Sequence, residues 1–264
     1  MKPIIPALMT LILLLSGCAA PDGGPAENAP ESTDSSGAAN SGGPGWTRIE
    51  PALPIPGDRK LRAGFLIVDG VYNTELTAPY DILQHTIFHT EPGIEVFTVS
   101  PDGNPVTTFE GLRVDAHYSF ADAPEIDILI VPSAEGSMEA DLKDEKMMAW
   151  VADVGGRARY VMSLCDGAFV LAAAGLLEGR AATTFPGDQD AFAEKFPQID
   201  LRRPPSFVHD GPAITSHGGA RSFDPAMYLV DHLYGEKVAR GVGRGMVIPW
   251  PPAPEVLHGV VIPR

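Results

Sequence analysis

Two short segments, Ile128-Leu129-Ile130-Val131 and Tyr160-Val161-Met162-Ser163-Leu164, are apolar at nearly every position, and they limit the fold more than any other feature of the chain. A half-buried strand alternates apolar with polar residues. A continuously apolar run of this length is a strand covered on both faces, as in a parallel sheet between helical layers. The neighbouring segments agree. Residues 61–68 form another apolar run, closed by Asp69-Gly70, and residues 74–87 place Leu76, Tyr80, Leu83 and Ile87 on one helical face. Residues 94–99 read as a strand closed by Pro101-Asp102-Gly103, and 106–120 as a hairpin interrupted at Glu110-Gly111. The spacing predicts further helices at 138–154, 167–177, 189–196 and 225–233, with strands at 181–185 and 213–216. Strands alternating with helices in this way mean an α/β fold with a mostly parallel central sheet.

The N-terminus is of a different kind. Lys2 precedes an apolar stretch at residues 4–15, too short to cross a hydrocarbon core of ~30 Å. It reads as a signal-peptide core, and Leu15-Ser16-Gly17-Cys18 matches the lipobox of bacterial lipoproteins. The expectation is a signal peptide over 1–17 and an acylated Cys18 that anchors the chain, since more than one acyl chain on one residue suffices for stable attachment. The protein would then sit in the bacterial cell envelope, facing the periplasm or the exterior, with Ala19 slightly favouring an outer membrane. Residues 18–58, rich in Pro, Gly, Ala, Ser and Asn, lack the apolar surface needed to offset ordering entropy and read as a disordered linker. Residues 59–240 form the folded domain, and 241–264 a Pro-rich tail packing on it. A formal net charge of −15 argues against a nucleic-acid partner and against electrostatic binding to anionic lipid. With Cys18 lipidated, Cys165 is the only remaining thiol, so no internal disulfide can form in a compartment that would permit one.

Cys165 stands in Ser163-Leu164-Cys165-Asp166-Gly167-Ala168, where a buried strand turns directly into a helix. Taken alone, a Cys at a strand end reads as a small buried hydrophobe. The strand-to-helix turn changes that reading, because such a turn projects a nucleophile into the crevice at the carboxyl ends of parallel strands. The helix N-terminus is expected to favour a thiolate, and Gly167 to permit close backbone approach.

These features resemble the nucleophile elbow of the ThiJ/PfpI family, relatives of class I glutamine amidotransferases. The likeness covers roughly residues 61–240 and joins five pieces in order: GVYNTELTAPYDIL, LIVPSAEG, SLCDGAFVLAAAGLL, AGLLEGRAATTFP and AITSHGGARSFDPAMYLVDHLYG. It implies a flavodoxin-like three-layer sandwich, most similar to the subgroup of isonitrile hydratases and of the ligand domain of AraC-type regulators. It further implies Cys165 as nucleophile, Glu75 as its carboxyl partner, and the backbone amides of Ala134 and Asp166 as oxyanion donors. Without the resemblance, Glu75 reads equally well as a first-turn acid favourable to the helix dipole. A small-molecule substrate and a homodimer follow from the likeness, with no cofactor and no metal.

The departures from the family pattern matter as much. Asp166 follows the Cys where isonitrile hydratases carry Thr; it is either a second acid/base or a cap on the following helix. Phe185-Pro186 replaces a common His, and Pro132-Ser133-Ala134 replaces Pro-Gly-Gly. His217 is the one His in a motif segment able to approach the site, although a turn His near a dimer contact is the favoured reading; Arg221 and Asp224 are expected to order the same turn. His85 and His89, four apart, lack a third ligand at motif spacing. Two functions fit: a Cys-dependent hydratase or hydrolase acting on a small electrophile, isonitrile hydratase-like or glyoxalase-like, and a non-catalytic ligand-binding or redox-sensing domain.

Overall fold

A computed structural model describes residues 52–252 and 259–262. The expected signal segment, the expected lipidation site at Cys18 and most of the expected linker lie outside the described residues. Among the described residues no helix is long and apolar enough to cross a membrane.

The buried runs form strands where the pattern places them. The first half of the domain is β1 (Leu61–Leu66), α1 (Asn73–His85), β2 (Ile94–Ser100), a small hairpin of β3 (Val106–Thr107) and β4 (Arg113–Val114), β5 (Tyr118–Ser119) and β6 (Ile128–Val131). Then follow α2 (Glu145–Arg157), β7 (Tyr160–Leu164), α3 (Gly167–Ala173), β8 (Ala181–Ala182), α4 (Gln189–Lys195) and β9 (Asp200–Leu201). The chain closes with β10 (Phe207–Asp210), β11 (Ala213–Ser216), α5 (Phe223–Tyr234), α6 (Glu236–Met246) and β12 (Gly259–Ile262). Eight strands make the central sheet in the order β12-β10-β11-β7-β6-β1-β2-β5, parallel throughout except for the β10–β11 pair.

Alternation within the buried strands divides the core between the two faces. Leu61, Ala63 and Phe65 of β1, Ile128 and Ile130 of β6, and Tyr160, Met162 and Leu164 of β7 pack with α1, α5 and α6. Leu66, Leu129, Val131 and Val161 point the other way, onto α2, α3 and the aromatic cluster of Phe169, Phe192 and Phe196. Each face therefore has its own helical layer, which is why these strands carry no polar alternation. The result is the three-layer α/β sandwich.

Several boundaries differ from the sequence reading, each for a local reason. The helix expected over 138–154 begins only at Glu145, because the Asp144 side chain accepts from Met147 N–H and caps it, and a 3-10 turn at Asp141–Lys143 precedes it. The helix expected to reach residue 177 ends at Ala173, released by Gly175 at φ +78°. The strand expected over 181–185 shrinks to β8 and pairs with β9 outside the main sheet. Two side-chain acceptors take over its backbone: Asp210 Oδ2 accepts from Ala181 N–H and Thr215 Oγ1 from Thr183 N–H. The sequence reading missed β10 and α6, and residue 240 lies inside α6. The tail brings Trp250 into the core, where its indole N–H donates to Asp231 at 2.9 Å, and β12 pairs with β10.

Candidate active site

Because β1, β6, β7 and β11 run parallel, their carboxyl ends open at one edge of the sheet and deliver separate loops to one place. The sharpest of these turns is at Cys165. Its φ of +52° lies in the left-handed region, which a non-glycine residue occupies at a cost and keeps only where its surroundings fix it. Three contacts do so. Cys165 N–H donates to Ser216 O at 3.0 Å, Thr184 Oγ1 lies 3.0 Å from Cys165 O, and Gly218 presses against the residue from the β11 side. A Cβ on Gly218 would stand 2.3 Å from Cys165 Cβ, and Gly218 itself has φ +74°, so this position admits only glycine without displacement. Gly167 serves the same end two residues later, since a Cβ there would meet Val131 O at 2.1 Å.

Glu75, near the start of α1, reaches the same spot. Its carboxyl is 4 % exposed; Oε2 accepts from Ser133 N–H at 3.0 Å and Oε1 from Gly219 N–H at 3.2 Å. Glu75 and the Cys165 thiol line the same cavity, close enough for each to act on the other's titration. Burial pushes the Glu75 pKa up, against the opposing pull of its two amide donors and the thiol.

Asp166 occupies the N-cap position of α3 yet makes no capping bond, so the cap reading is not the one its side chain follows. Its Oδ1 lies 3.0 Å from Thr184 Oγ1, its Oδ2 lies 3.7 Å from Cys165 Sγ, and Asp188 lines the same cavity. Burial first, and the charge of Asp188 next, push Asp166 up to about 7, with Thr184 pulling the other way. The thiol itself is shifted far upward, by burial and then by the fields of Glu75 and Asp166. This overturns the expectation that the helix N-terminus sets the thiol's pKa: α3 is short, and the cost of desolvating sulfur between two carboxyls is larger. The Asp166 N–H pulls the thiol's pKa down, but its effect is the smaller one.

The other expected donor is engaged elsewhere. Ala134 N–H donates to Ser137 Oγ at 2.8 Å, and the amide before it, Ser133, is committed to Glu75. His217 lines the cavity with its Nε2 buried and, among the described residues, without a hydrogen-bond partner, and burial lowers its pKa. Among the described residues no hydrogen bond joins it to Cys165. Arg221 and Asp224 lie 3.4 Å apart and order the turn after β11. His85 bonds back to Asp81 in α1, while His89 has left the helix and stands against Gly241.

Above these groups is a cavity of about 520 Å³ lined by Tyr72, Glu75, Cys165, Asp166, Phe185 and Asp188 together with the 217–221 turn. Sequence reasoning missed Tyr72, Thr184 and Asp188. The run Ala182-Thr183-Thr184-Phe185-Pro186 was visible as a motif, but nothing in it shows that Thr184 would reach back to the elbow.

Comparison with known proteins agrees with this architecture. The profile of the DJ-1/PfpI family matches residues 61–231. The isonitrile hydratase of Pseudomonas putida is 33 % identical over 195 residues, covering 74 % of this chain and 80 % of the relative. The HTH-type transcriptional regulator CdhR of Pseudomonas aeruginosa is 31 % identical over 150 residues, 57 % of this chain, but the match spans only 44 % of the regulator's length. Among solved structures, a THiJ/PfpI family protein from Pseudomonas syringae superposes with a TM-score of 0.65 at 26 % identity, over 77 % of this chain and 84 % of that one.

Proposed function

The chain belongs to the DJ-1/PfpI family, and on that premise we propose that it is a cysteine-dependent enzyme adding water to a small electrophilic carbon, with an isonitrile as the substrate class and Cys165 as nucleophile. The observation that carries the reading is Glu75: a buried carboxyl, gripped by amides of two separate loops and set against the Cys165 thiol beside the cavity. Burial favours its protonated form, and a protonated Glu75 donates to the sulfur as negative charge develops there. With Glu75 and Asp166 both protonated, the repulsion that opposes a thiolate is gone.

The chemistry then runs as follows. The S–H bond breaks, sulfur bonds to the terminal carbon of the isonitrile, and that carbon gains a proton, giving a thioimidate. Water adds to the same carbon while the nitrogen takes a proton. The C–S bond breaks, sulfur recovers its proton, and an N-substituted formamide leaves. The sum is one isonitrile and one water. Because the resting thiol is protonated, attack and proton transfer are concerted. A 2-oxoaldehyde, as in a glyoxalase-like reaction, would use the same nucleophile and acid.

A second reading has one observation in its favour. A thiol buried between two carboxyls is a weak nucleophile at rest, which suits a ligand-binding or redox-sensing domain, and regulators stand among the relatives. The proposal also includes the lipid anchor at Cys18, a place in the cell envelope, a disordered linker up to the domain, and a homodimer. The deciding experiment is turnover of a panel of isonitriles and 2-oxoaldehydes by the wild type and by Cys165→Ser. Loss of turnover to background with an unchanged melting temperature is expected; equal turnover in the variant removes Cys165 from the reaction.

A further inference from the structure

The strand that ends at the elbow begins at a second cavity. Tyr160 opens β7 and Cys165 follows its last residue, so the two places lie at opposite ends of one strand. This second cavity has a volume of about 240 Å³ and is walled by Leu53, Arg159, Tyr160, His209, Pro212 and His232, with Gly211 in the turn from β10 to β11. Its aromatic side is fixed. Tyr160 Oη accepts from Leu53 N–H at 3.2 Å and lies 3.1 Å from His232 Nε2. His209 Nδ1 lies 2.7 Å from Tyr228 Oη, and its Nε2 lies 2.8 Å from Gly211 O. A carbonyl only accepts, so His209 holds a proton on Nε2 and its ring is pinned to the turn. The rings also brace one another edge to face, His209 against His232 at 5.1 Å and Tyr160 against His232 at 5.7 Å.

Arg159 is the unsettled member of the wall. Its Nη2 donates to Pro54 O and its backbone N–H to Asp127 O, yet its Nε is buried with no hydrogen-bond partner among the described residues. A buried charged donor left unpaired is costly and calls for a partner. The acids of the neighbouring segments are already engaged: Asp127 with Arg59, Asp210 with Ala181 N–H and Asp231 with the Trp250 indole. Among the described residues Arg159 is the one Lys or Arg on the wall, and no carboxyl lines it. We infer that this cavity is a second ligand site, and that it takes a small carboxylate carrying an apolar ring or short chain, with Arg159 Nε–H donating to the carboxylate. A charge-assisted bond of this kind is among the stronger ones available to a guanidinium. The volume sets the size. An apolar cavity of about 150 Å³ holds a benzene ring, so 240 Å³ leaves room for a carboxylate beside such a ring. The catalytic cavity differs in kind, being lined by Glu75, Asp166 and Asp188. The substrate and product proposed there are neutral, so the second ligand is neither, and this site does not depend on what Cys165 does.

The experiment titrates the full-length chain in detergent with benzoate and hexanoate, and with benzamide and hexanamide as their neutral counterparts. Calorimetry gives the affinities, and nitrogen-15 NMR follows the arginine Nε–H groups. One Nε–H signal, absent from Arg159→Lys, should shift to saturation with at least one of the two carboxylates, and the matching amide should bind at least about tenfold more weakly. Arg159→Lys keeps the charge without the Nε–H, and Arg159→Met removes both. Affinity should fall about tenfold in the first and further in the second. Cys165→Ser should bind as the wild type does. Failure of both carboxylates to saturate the wild type overturns the inference, and so does Arg159→Met binding as tightly as wild type. Affinity lost in Cys165→Ser but kept in Arg159→Met overturns it too, by placing the carboxylate in the catalytic cavity. Should Arg159→Met not fold, the wild-type signal decides alone: an Arg159 Nε–H that stays unmoved at saturation refutes the site. A protein inactive on every isonitrile that still binds the carboxylate through Arg159 keeps this site and loses only the proposed reaction.

Discussion

Replacing Glu75 by Gln changes almost nothing in shape and removes one thing the site depends on. Both oxygens of the native carboxyl accept hydrogen bonds from backbone amides that cannot turn away, Ser133 N–H at 3.0 Å and Gly219 N–H at 3.2 Å. A glutamine side chain has a single acceptor. Whichever way its amide is turned, one of the two N–H groups faces an NH2 group and is left buried without a partner, at about 1–3 kcal/mol. For a domain of this size each kcal/mol shifts Tm by about 2–4 °C, so Glu75→Gln should melt about 2–12 °C below wild type. The same substitution removes the proton donor facing the Cys165 sulfur, and turnover of the best isonitrile should fall by about 10²–10⁴. The assay pairs calorimetry with single-substrate kinetics on the two proteins. A Glu75→Gln protein that melts with wild type would refute the clamp. One that melts low yet turns over at the wild-type rate would confine Glu75 to structure.

Two other outcomes follow from the same geometry, and a third from the proposed anchor at Cys18. Gly218→Ala, at φ +74° and with its new Cβ 2.3 Å from Cys165 Cβ, should cost about 1–3 kcal/mol by overpacking and displace the elbow; a crystal structure with Cys165 unmoved would count against this. Asp166, with its pKa raised from 3.8 to about 7, binds a proton more tightly folded than unfolded, so its contribution to stability is present below pH ~4 and lost as pH rises through about 7. Urea midpoints should therefore decline across that window in wild type and show a shallower decline in Asp166→Asn; parallel profiles would show that the group titrates normally. Cys18→Ala should abolish incorporation of labelled palmitate and release the chain from the membrane fraction, and retention of label would place the anchor elsewhere.

The acid-rich cavity also gives the site a character its relatives' names do not convey. Glu75, Asp166 and Asp188 line it with Arg221 as the one lining cation, itself paired to Asp224. With Glu75 and Asp166 protonated as proposed, the cavity presents hydrogen-bond donors to a neutral electrophile such as an isonitrile, while its one lining cation is already paired to Asp224. This agrees with a site built around proton transfer rather than around holding an anion.

The sequence by itself determined the layered fold and the place of Cys165 at the strand-to-helix turn. Apolar continuity in β6 and β7 is a consequence of being covered on both faces, and the direct passage from Leu164 to Gly167 leaves no room for anything but a sharp turn. Both are local properties, written in consecutive residues. Helix ends were legible only where a cap or a glycine marked them, and Asp144 and Gly175 were such marks, overlooked. What the tertiary structure decided was which groups meet. Glu75 bonds Gly219 across 144 positions, Thr184 reaches the elbow from 18 positions away, and Ser137 takes the amide of Ala134. Those contacts arise because parallel strands of unequal connection length end at one edge, and no spacing along the chain encodes them. The direction of the thiol's pKa belongs to the same class: the helix beneath it was readable in advance, whereas the burial and the two carboxyls that outweigh it exist only once the chain has folded.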